Sequence, residues 1–522
     1  MQKNNHIPIV DLFAGPGGLG EGFSSLDNGS AFKILISAEK ETSAHQTLTL
    51  RAFFRKLKLK GGNALDCYYR FCNGESAFPY DESTLTEWED AQLEARQIEL
   101  GTAEGDKVLN DSIQAGQLGS EKPWVLIGGP PCQAYSIVGR SRNLGNAQYK
   151  AENDPRHFLY KEYLEIIQKY KPTVFVMENV KGILSSKVNG KKVFHEILSD
   201  LSNPDEALQQ NPSGFKYKIY SLVVPAYYET GMDAATFKAN DFVIKAEEFG
   251  IPQARHRVIL LGVRDDLRKL PAQLEKAPTV KVSDVIKALP TLRSRLSKGG
   301  VDTALNWATI VNQHIEELSE EASSVAGLEE LTKILRALEL EDRSNFGFGG
   351  LRVDFNKRIY SRKKSNDLPM NHWYEDDRLN VWMNHETRGH MQSDLRRYLY
   401  ASAFATAYQR SPKGHEEYTL SGLRPAHANW ESGKFSDRFR VQLWDKYATT
   451  VTSHISKDGH YFIHPDPNQC RSLTVREAAR LQTFPDNYFF QGNRTQQLHQ
   501  VGNAVPPLLA LKIAGIVKNL LS

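Results

Sequence analysis

The residue best placed to do chemistry is a thiol on a stiff mount. Cys132 sits in Trp-Val-Leu-Ile-Gly-Gly-Pro-Pro-Cys-Gln-Ala-Tyr-Ser, residues 124–136. The apolar run Val125–Ile127 reads as a buried strand, Gly128 and Gly129 end it, and Pro130 and Pro131 stiffen the exit. A nucleophile that must reach one atom at one angle needs such a mounting. Taken alone, Cys132 would read as a small buried hydrophobe, as most free cysteines do. Three other groups accompany it: an acid after an apolar run, in Met177-Glu178-Asn179-Val180; alternating arginines, in Gln253-Ala-Arg255-His-Arg257; and Gln500-Val-Gly-Asn503-Ala-Val505-Pro-Pro further on.

The remaining feature is a glycine loop, Asp11-Leu-Phe13-Ala14-Gly15-Pro-Gly17-Gly18-Leu19-Gly20-Glu-Gly22-Phe, after the first apolar run. Glycines there let the backbone turn sharply into a helix and approach a ligand. Gly15, Gly17 and Gly20 match the dinucleotide spacing, and Glu39 follows where a ribose-binding acid belongs. A nicotinamide cofactor, an adenosine cofactor and a plain tight turn all compete at this point. Phe13, able to stack on adenine, and the lack of a second phosphate-cradling feature favour S-adenosylmethionine.

Positioning these groups takes a sheet. Ile7–Phe13, Lys33–Ser37, Val125–Ile127, Thr173–Met177, Tyr217–Val224 and Arg257–Val263 read as strands, with helices over Phe158–Tyr170 and Val193–Leu201. That alternation predicts an α/β fold with a mostly parallel sheet covered by helices. Residues 61–122 interrupt it and read as a helical insertion on the surface. After about Arg264 the pattern fades, and 271–465 is too long to be a loop, so it reads as a second, irregular domain. Regular structure returns over 466–522, which reads as a return of the chain to the catalytic domain, with helices at Thr474–Gln482 and Pro506–Leu521. The catalytic unit is thus expected over 1–270.

Composition sets the outer bounds. At 522 residues and 40% hydrophobic content the chain is long enough for two or more units with sizeable cores. Cysteines 67, 72, 132 and 470 form no Cys-x-x-Cys pair, so no metal site is expected, and so few thiols suit a reducing cytoplasm. No apolar run suggests a signal peptide or membrane span. A formal charge of +3 means that any nucleic-acid surface is a local patch.

The glycine loop, the Pro-Pro-Cys turn, Glu-Asn-Val, Gln-Ala-Arg-His-Arg and Gln-Val-Gly-Asn-Ala-Val-Pro-Pro, in this order, resemble the DNA cytosine-5 methyltransferase family, bacterial restriction–modification type. The resemblance covers roughly 7–265 and 470–520. It implies a Rossmann-like S-adenosylmethionine-dependent fold with a target-recognition domain between the arginine element and the last two motifs. Cys132 would add to carbon 6 of cytosine and make carbon 5 nucleophilic. Glu178 would support ring nitrogen 3, Arg257 the carbonyl oxygen, and Arg255 the same site or a phosphate. The resemblance lays the cofactor against Phe13, Ala14, Gly15, Gly17, Gly18, Leu19 and Pro130, with Phe13 on adenine, Glu39 on the ribose, and Asn503 and Val505 at the methionine end. The usual Gly-Asp for the adenine amino group is missing; Gly62-Asn63, Asp66 and Asp106 are the candidates.

Carbon 6 of a stacked cytosine is out of reach, so the base must be flipped out of double-stranded DNA. The polar, basic stretch 133–154 resembles the family's closing loop and offers Gln133, Ser136 and Arg140 to DNA. Within Leu351–Ser365 six basic residues face one acidic one, and Lys357, Arg358 and Lys363 are candidates for backbone contacts. The reading is a sequence-specific methyltransferase, expected to pair functionally with a restriction endonuclease and to be a cytoplasmic, DNA-associated monomer free of membrane. A tRNA cytosine-5 methyltransferase, a catalytically inactive DNA-binding relative and a NAD-dependent oxidoreductase are the alternatives. The large middle segment argues against the first, intact Cys132, Glu178 and Arg257 against the second, and the later motifs against the third.

Overall fold

The computed structural model describes residues 6–130, 159–188, 191–209, 212–297, 301–355, 370–425, 430 and 438–522. Five strands run parallel side by side: β1 (Ile7–Leu12), β2 (Phe32–Glu39), β3 (Ala95–Gln97), β4 (Val125–Gly128) and β5 (Val174–Val180), in the order β3-β2-β1-β4-β5. The sheet continues past β5 with β6 (Tyr217–Tyr220), β7 (Tyr227–Tyr228), β8 (Val243–Lys245) and β9 (His256–Arg264). There β9 runs antiparallel to β5, β6 and β8. The principal helices of this half are α1 (Gly18–Ser25), α2 (Thr42–Lys60), α3 (Leu65–Asn73), α4 (Leu85–Glu94), α5 (Ala103–Ala115), α6 (Leu159–Tyr170) and α7 (Val193–Ser202).

The central strands are continuous apolar runs because both faces are covered. On one face Val10, Leu12, Leu126, Phe175 and Leu260 pack with Leu109, Ile167 and Leu198 of α5, α6 and α7. On the other, Ile9, Val125, Ile127, Val174, Val176, Ile259 and Leu261 pack with Phe23 of α1 and with Leu509, Ile513 and Val517. The expected α/β fold and its mostly parallel sheet are therefore present.

The helical insertion expected over 61–122 is corrected in two respects. Ala95–Gln97 inside it is a sheet strand, paired with Ser37–Glu39, and three residues are too few to show a period. The true interruption between β2 and β3 is α2–α4, and it is not a free surface layer. Phe54, Tyr68 and Cys72 of α2 and α3 share a core with Leu379, Val381, Met383 and Phe489 from far later in the chain.

The middle of the chain has its own core, where Trp307, Val311 and Ile315 of α8 (Ala304–Ser323) meet Leu331 and Leu335 of α9 (Glu329–Leu338) and Leu395 and Leu399 of α10 (Gln392–Tyr408). Beside it lies an antiparallel hairpin, β10 (Gly349–Asp354) with β11 (Val381–Glu386). The segment is entered and left through adjoining backbone: Val282 N–H donates to the Lys446 carbonyl (2.8 Å) and Ser283 N–H to that of Trp444 (3.1 Å). Three helices follow, α11 (Val475–Leu481), α12 (Arg494–Asn503) and α13 (Pro507–Leu521). Arg494–Leu521 is long and apolar enough to cross a membrane, but it breaks before Pro507 and its apolar residues lie in the sheet core.

Candidate active site

Register brings the acid and the arginine together. Gly128 on β4 pairs with Met177 on β5, so the chain leaving β4 passes Glu178. A Cβ on Gly129 would stand 3.1 Å from Glu178 Oε2, which is why a side chain there would crowd the carboxylate. Asn179 braces the same exit: its Nδ2 donates to the Pro130 carbonyl at 3.4 Å, and its Oδ1 accepts from Val180 N–H at 2.9 Å. On the other side β9 sets Ile259 opposite Glu178, which leaves Arg257 two residues away on the same face. Arg257 Nε lies 2.9 Å from Glu178 Oε1. The N–H is not aligned on that oxygen, so the contact is an ion pair more than a hydrogen bond. Arg257 Nη1 donates to the His256 carbonyl at 2.9 Å. The two side chains are 15% and 12% exposed, enough for a ligand edge to reach them. Burial pushes the Arg257 guanidinium below its usual range while Glu178 opposes the shift. Cys132, Gln133, Ser136 and Arg140 lie outside the described residues, as do Lys357, Arg358 and Lys363.

Arg255 departs from the expectation that it supports this pair or a phosphate. It precedes β9 and is buried, and its Nη1 donates to the carbonyls of Val451 (2.8 Å) and Gly502 (3.2 Å). Its reach is set by Gln253–Ala254, which pairs in parallel with Ala448–Thr449. Arg255 therefore ties the end of the middle segment and the end of α12 to the catalytic half. Burial, and after it the neighbouring Arg257 charge, pushes its guanidinium well below the usual arginine range, with Glu178 opposing the shift.

The glycine loop is drawn tight. Phe13 adopts a left-handed φ of +56°, a conformation that costs a bulky residue energy and persists only under outside constraint. Ala14 N–H donates to the Ala38 carbonyl (3.1 Å), and Gly15 N–H to Glu39 Oε2 (2.7 Å). Glu39 Oε1 accepts from Glu41 N–H at 2.7 Å; burial nonetheless raises this carboxyl above its ordinary range. Gly17, at φ +95°, caps α1. At Gly18 a Cβ would fall 2.2 Å from the Val505 carbonyl oxygen, so the loop and the Gln500–Pro507 element are in backbone contact. The Leu19 side chain is buried in the sheet core, which leaves only its backbone to a ligand. Asn503, at the end of α12, is exposed, its amide 3.2 Å from His499 Nδ1.

Asn63 does not belong to this group. It is exposed on the turn after α2, and a helix of 19 residues, about 28 Å long, separates it from Glu39 and Glu41. Asp66 pairs with Arg378, and Asp106 accepts from Gly101 N–H at 2.9 Å. The residues that do reach the end of β2, beside Glu39, are Gln97 and Ile98, at the end of the unrecognised β3. Ile98 N–H donates to the Glu39 carbonyl (3.0 Å), and Gln97 Nε2 to Thr42 Oγ1 (2.8 Å). A three-residue strand left no sequence signal for them.

A tight glycine loop, an acid held at the end of β2 and an exposed amide beside Val505, all at the carboxyl ends of parallel strands, suit an adenosyl amino-acid cofactor. The class so defined is a Rossmann-like methyltransferase. The model of the C-5 cytosine-specific DNA methylase family matches residues 101–205 and 231–519. The chain is 33% identical to the type II methyltransferase M.Bpa9945I of Bacillus paralicheniformis, over 98% of this chain and 99% of that protein. It is 26% identical to the type II methyltransferase M.AgeI of Thalassovita gelatinovora, over 98% and 99%. Its fold is similar to the crystal structure of a DNA modification methyltransferase encoded within an Escherichia coli prophage, with 19% identity, 99% coverage of both chains and a TM-score of 0.50.

The chain belongs to the C-5 cytosine-specific DNA methylase family, the family its motifs resemble. It is a DNA (cytosine-5)-methyltransferase, and S-adenosylmethionine is its methyl donor.

Proposed function

We propose that the chain methylates carbon 5 of a flipped-out cytosine within one specific double-stranded DNA sequence, and that it is the protective half of a restriction–modification pair. The observation that carries this reading is the Glu178–Arg257 pair, 2.9 Å apart beside the Gly-Gly-Pro-Pro exit that leads to Cys132. When bound, S-adenosylmethionine supplies the electrophilic methyl group, and the sulfonium that gives it up leaves as the neutral thioether S-adenosylhomocysteine. Glu178 holds a proton at ring nitrogen 3, and Arg257 opposes negative charge at the carbonyl oxygen. The Cys132 thiolate forms a sulfur–carbon 6 bond, and that electron pair makes carbon 5 the nucleophile. After transfer the carbon 5 proton leaves to a base or water, the double bond re-forms and the thiolate is eliminated. Phe13, Glu39, Asn503 and Val505 hold the cofactor, with Gln97 and Ile98 replacing Asn63 at the adenine edge. Residues 271–465 carry target recognition.

Tritiated cofactor with unmethylated DNA should label cytosine carbon 5, and bisulfite sequencing of DNA from an expressing host should give one short motif. Label on adenine, or on RNA alone, would refute the assignment. Cys132→Ser should lose covalent trapping on DNA that carries 5-fluorocytosine.

A further inference from the structure

Helix α3 grips a stretch of chain that follows it by about three hundred residues, and does so with polar groups at three points. Arg352, on β10, donates through Nε to the Cys72 carbonyl and through Nη2 to that of Phe71, both at 2.8 Å. These carbonyls belong to the last turn of α3, where a helix leaves its acceptors unpaired and its dipole favours a cation. The guanidinium lies against two neighbouring rings, 5.4 Å from the centre of Phe71 and 4.9 Å from that of Phe489. At the end of α3, Asn73 brackets the backbone before β11: Nδ2 donates to the Arg378 carbonyl (3.1 Å), and Oδ1 accepts from Asn380 N–H (2.8 Å). At its start Asp66 pairs with Arg378 at 2.5 Å, and the same guanidinium lies 4.1 Å from the centre of the Tyr69 ring.

The grip continues into the catalytic half. Tyr69 Oη donates to Asp376, which also accepts from Asn487 Nδ2 at 2.7 Å. Asn487 Oδ1 accepts from Arg51 Nη1 at 2.9 Å, and Arg51 Nη2 pairs with Glu21 of α1 at 2.5 Å. Four polar contacts, of which the Arg51–Glu21 pair is buried, thus run from α1 through Asn487 and Asp376 to Tyr69 of α3, which in turn holds the β10–β11 hairpin. Asp354 pairs with Val381, so Arg352 and Asn380 are the points where α3 holds both strands of the hairpin near one end. A helix kept only for packing has no need of directional contacts to both strands.

We propose that α3 is a positioning element for the DNA substrate, with Arg352 and Asn73 as its positioning residues. By fixing the hairpin to the catalytic half, they set where the duplex lies over Glu178 and Arg257. This rests on the reading of 271–465 as the recognition segment. The full chain and its Arg352→Gln, Asn73→Ala and Arg352→Lys variants test it on DNA carrying the mapped target. KM for DNA should rise about tenfold in the first two, with kcat and KM for cofactor within about twofold of the parent. Methylation should spread to sites differing by one base pair, and Arg352→Lys, which keeps the charge, should recover part of the loss. Unchanged KM for DNA and unchanged site preference overturn the proposal. So does a joint fall of kcat, cofactor affinity and melting temperature, which marks a merely structural contact. A parent protein that labels no DNA overturns the functional reading itself, and is separable because it appears before any substitution.

Discussion

Glu178 faces a choice of partners that a substrate would change. With nothing bound its carboxylate leans on Arg257; with a cytosine edge present both side chains must turn part of their hydrogen-bonding capacity outward. Glu178→Gln preserves shape and donors but cannot deliver a proton, so kcat should fall by roughly 10²–10⁴, the range of a positioned acid. Cofactor binding, followed by titration, should stay at the parent level. Asp11 offers a second test at this scale. It is fully buried on β1, neither carboxylate oxygen has a hydrogen-bond partner, and burial pushes its carboxyl up to about 8. An unfolded aspartate titrates at roughly 4. Between these values the folded chain holds a proton that the unfolded chain has released, so stability falls as pH rises from about 4 to 8. Asp11→Asn removes that slope. The melting temperature of the parent relative to the variant should drop between pH 5 and pH 8.5; parallel curves would mean that the carboxyl is ionised in the fold. The meeting of Glu178 with Arg257 was legible because each follows or opens an apolar strand in a motif of fixed spacing. The true task of Arg255 was not, since its acceptors Val451 and Gly502 are distant in the chain.

Among the elements, α11 shows what sequence signals can reach. Thr474 and Glu477 spell a capping box, and both capping bonds are present. The same Glu477 also receives Arg471 through two bonds of 2.7 Å, with both side chains almost wholly buried. Arg471 holds the Glu477 carboxyl well below the usual range, so its contribution is present above the unfolded value near pH 4 and lost as pH falls through the folded one. Glu477→Gln strands a buried guanidinium and should cost about 3–5 kcal/mol in denaturant unfolding. The corresponding failure of sequence reading is β3. Its three residues show no alternation, so the adenine edge was sought at Asn63, on the wrong side of a long helix. Only the pairing of Ser37–Glu39 with Ala95–Gln97 brings Gln97 and Ile98 beside Glu39.

Taken whole, the molecule draws its candidate site residues from distant parts of the chain. The glycine loop comes from residues 11–23, the acid and arginine from β5 and β9, and the carbonyl that touches Gly18 from Val505. A chain stopped after Asn503 keeps every proposed chemical group but loses Val505 and α13. It should bind no cofactor in equilibrium dialysis, and should expose the apolar sheet face to a hydrophobic dye. The order of motifs was legible in the sequence; which face of the sheet α13 covers was not, because apolar periodicity says which face of a helix is buried and not what it packs against.

That closure has a consequence in time. A ribosome adds roughly 5–20 residues per second, so β9 emerges some tens of seconds or less before α13. Throughout that interval Ile9, Val125, Ile127, Val174 and Ile259 lack the helix that covers them in the finished protein. The growing chain therefore leaves that apolar face without its cover for a time set by translation speed. Slower growth of the host, or occupancy by a chaperone, would then govern how much of each batch reaches the active form.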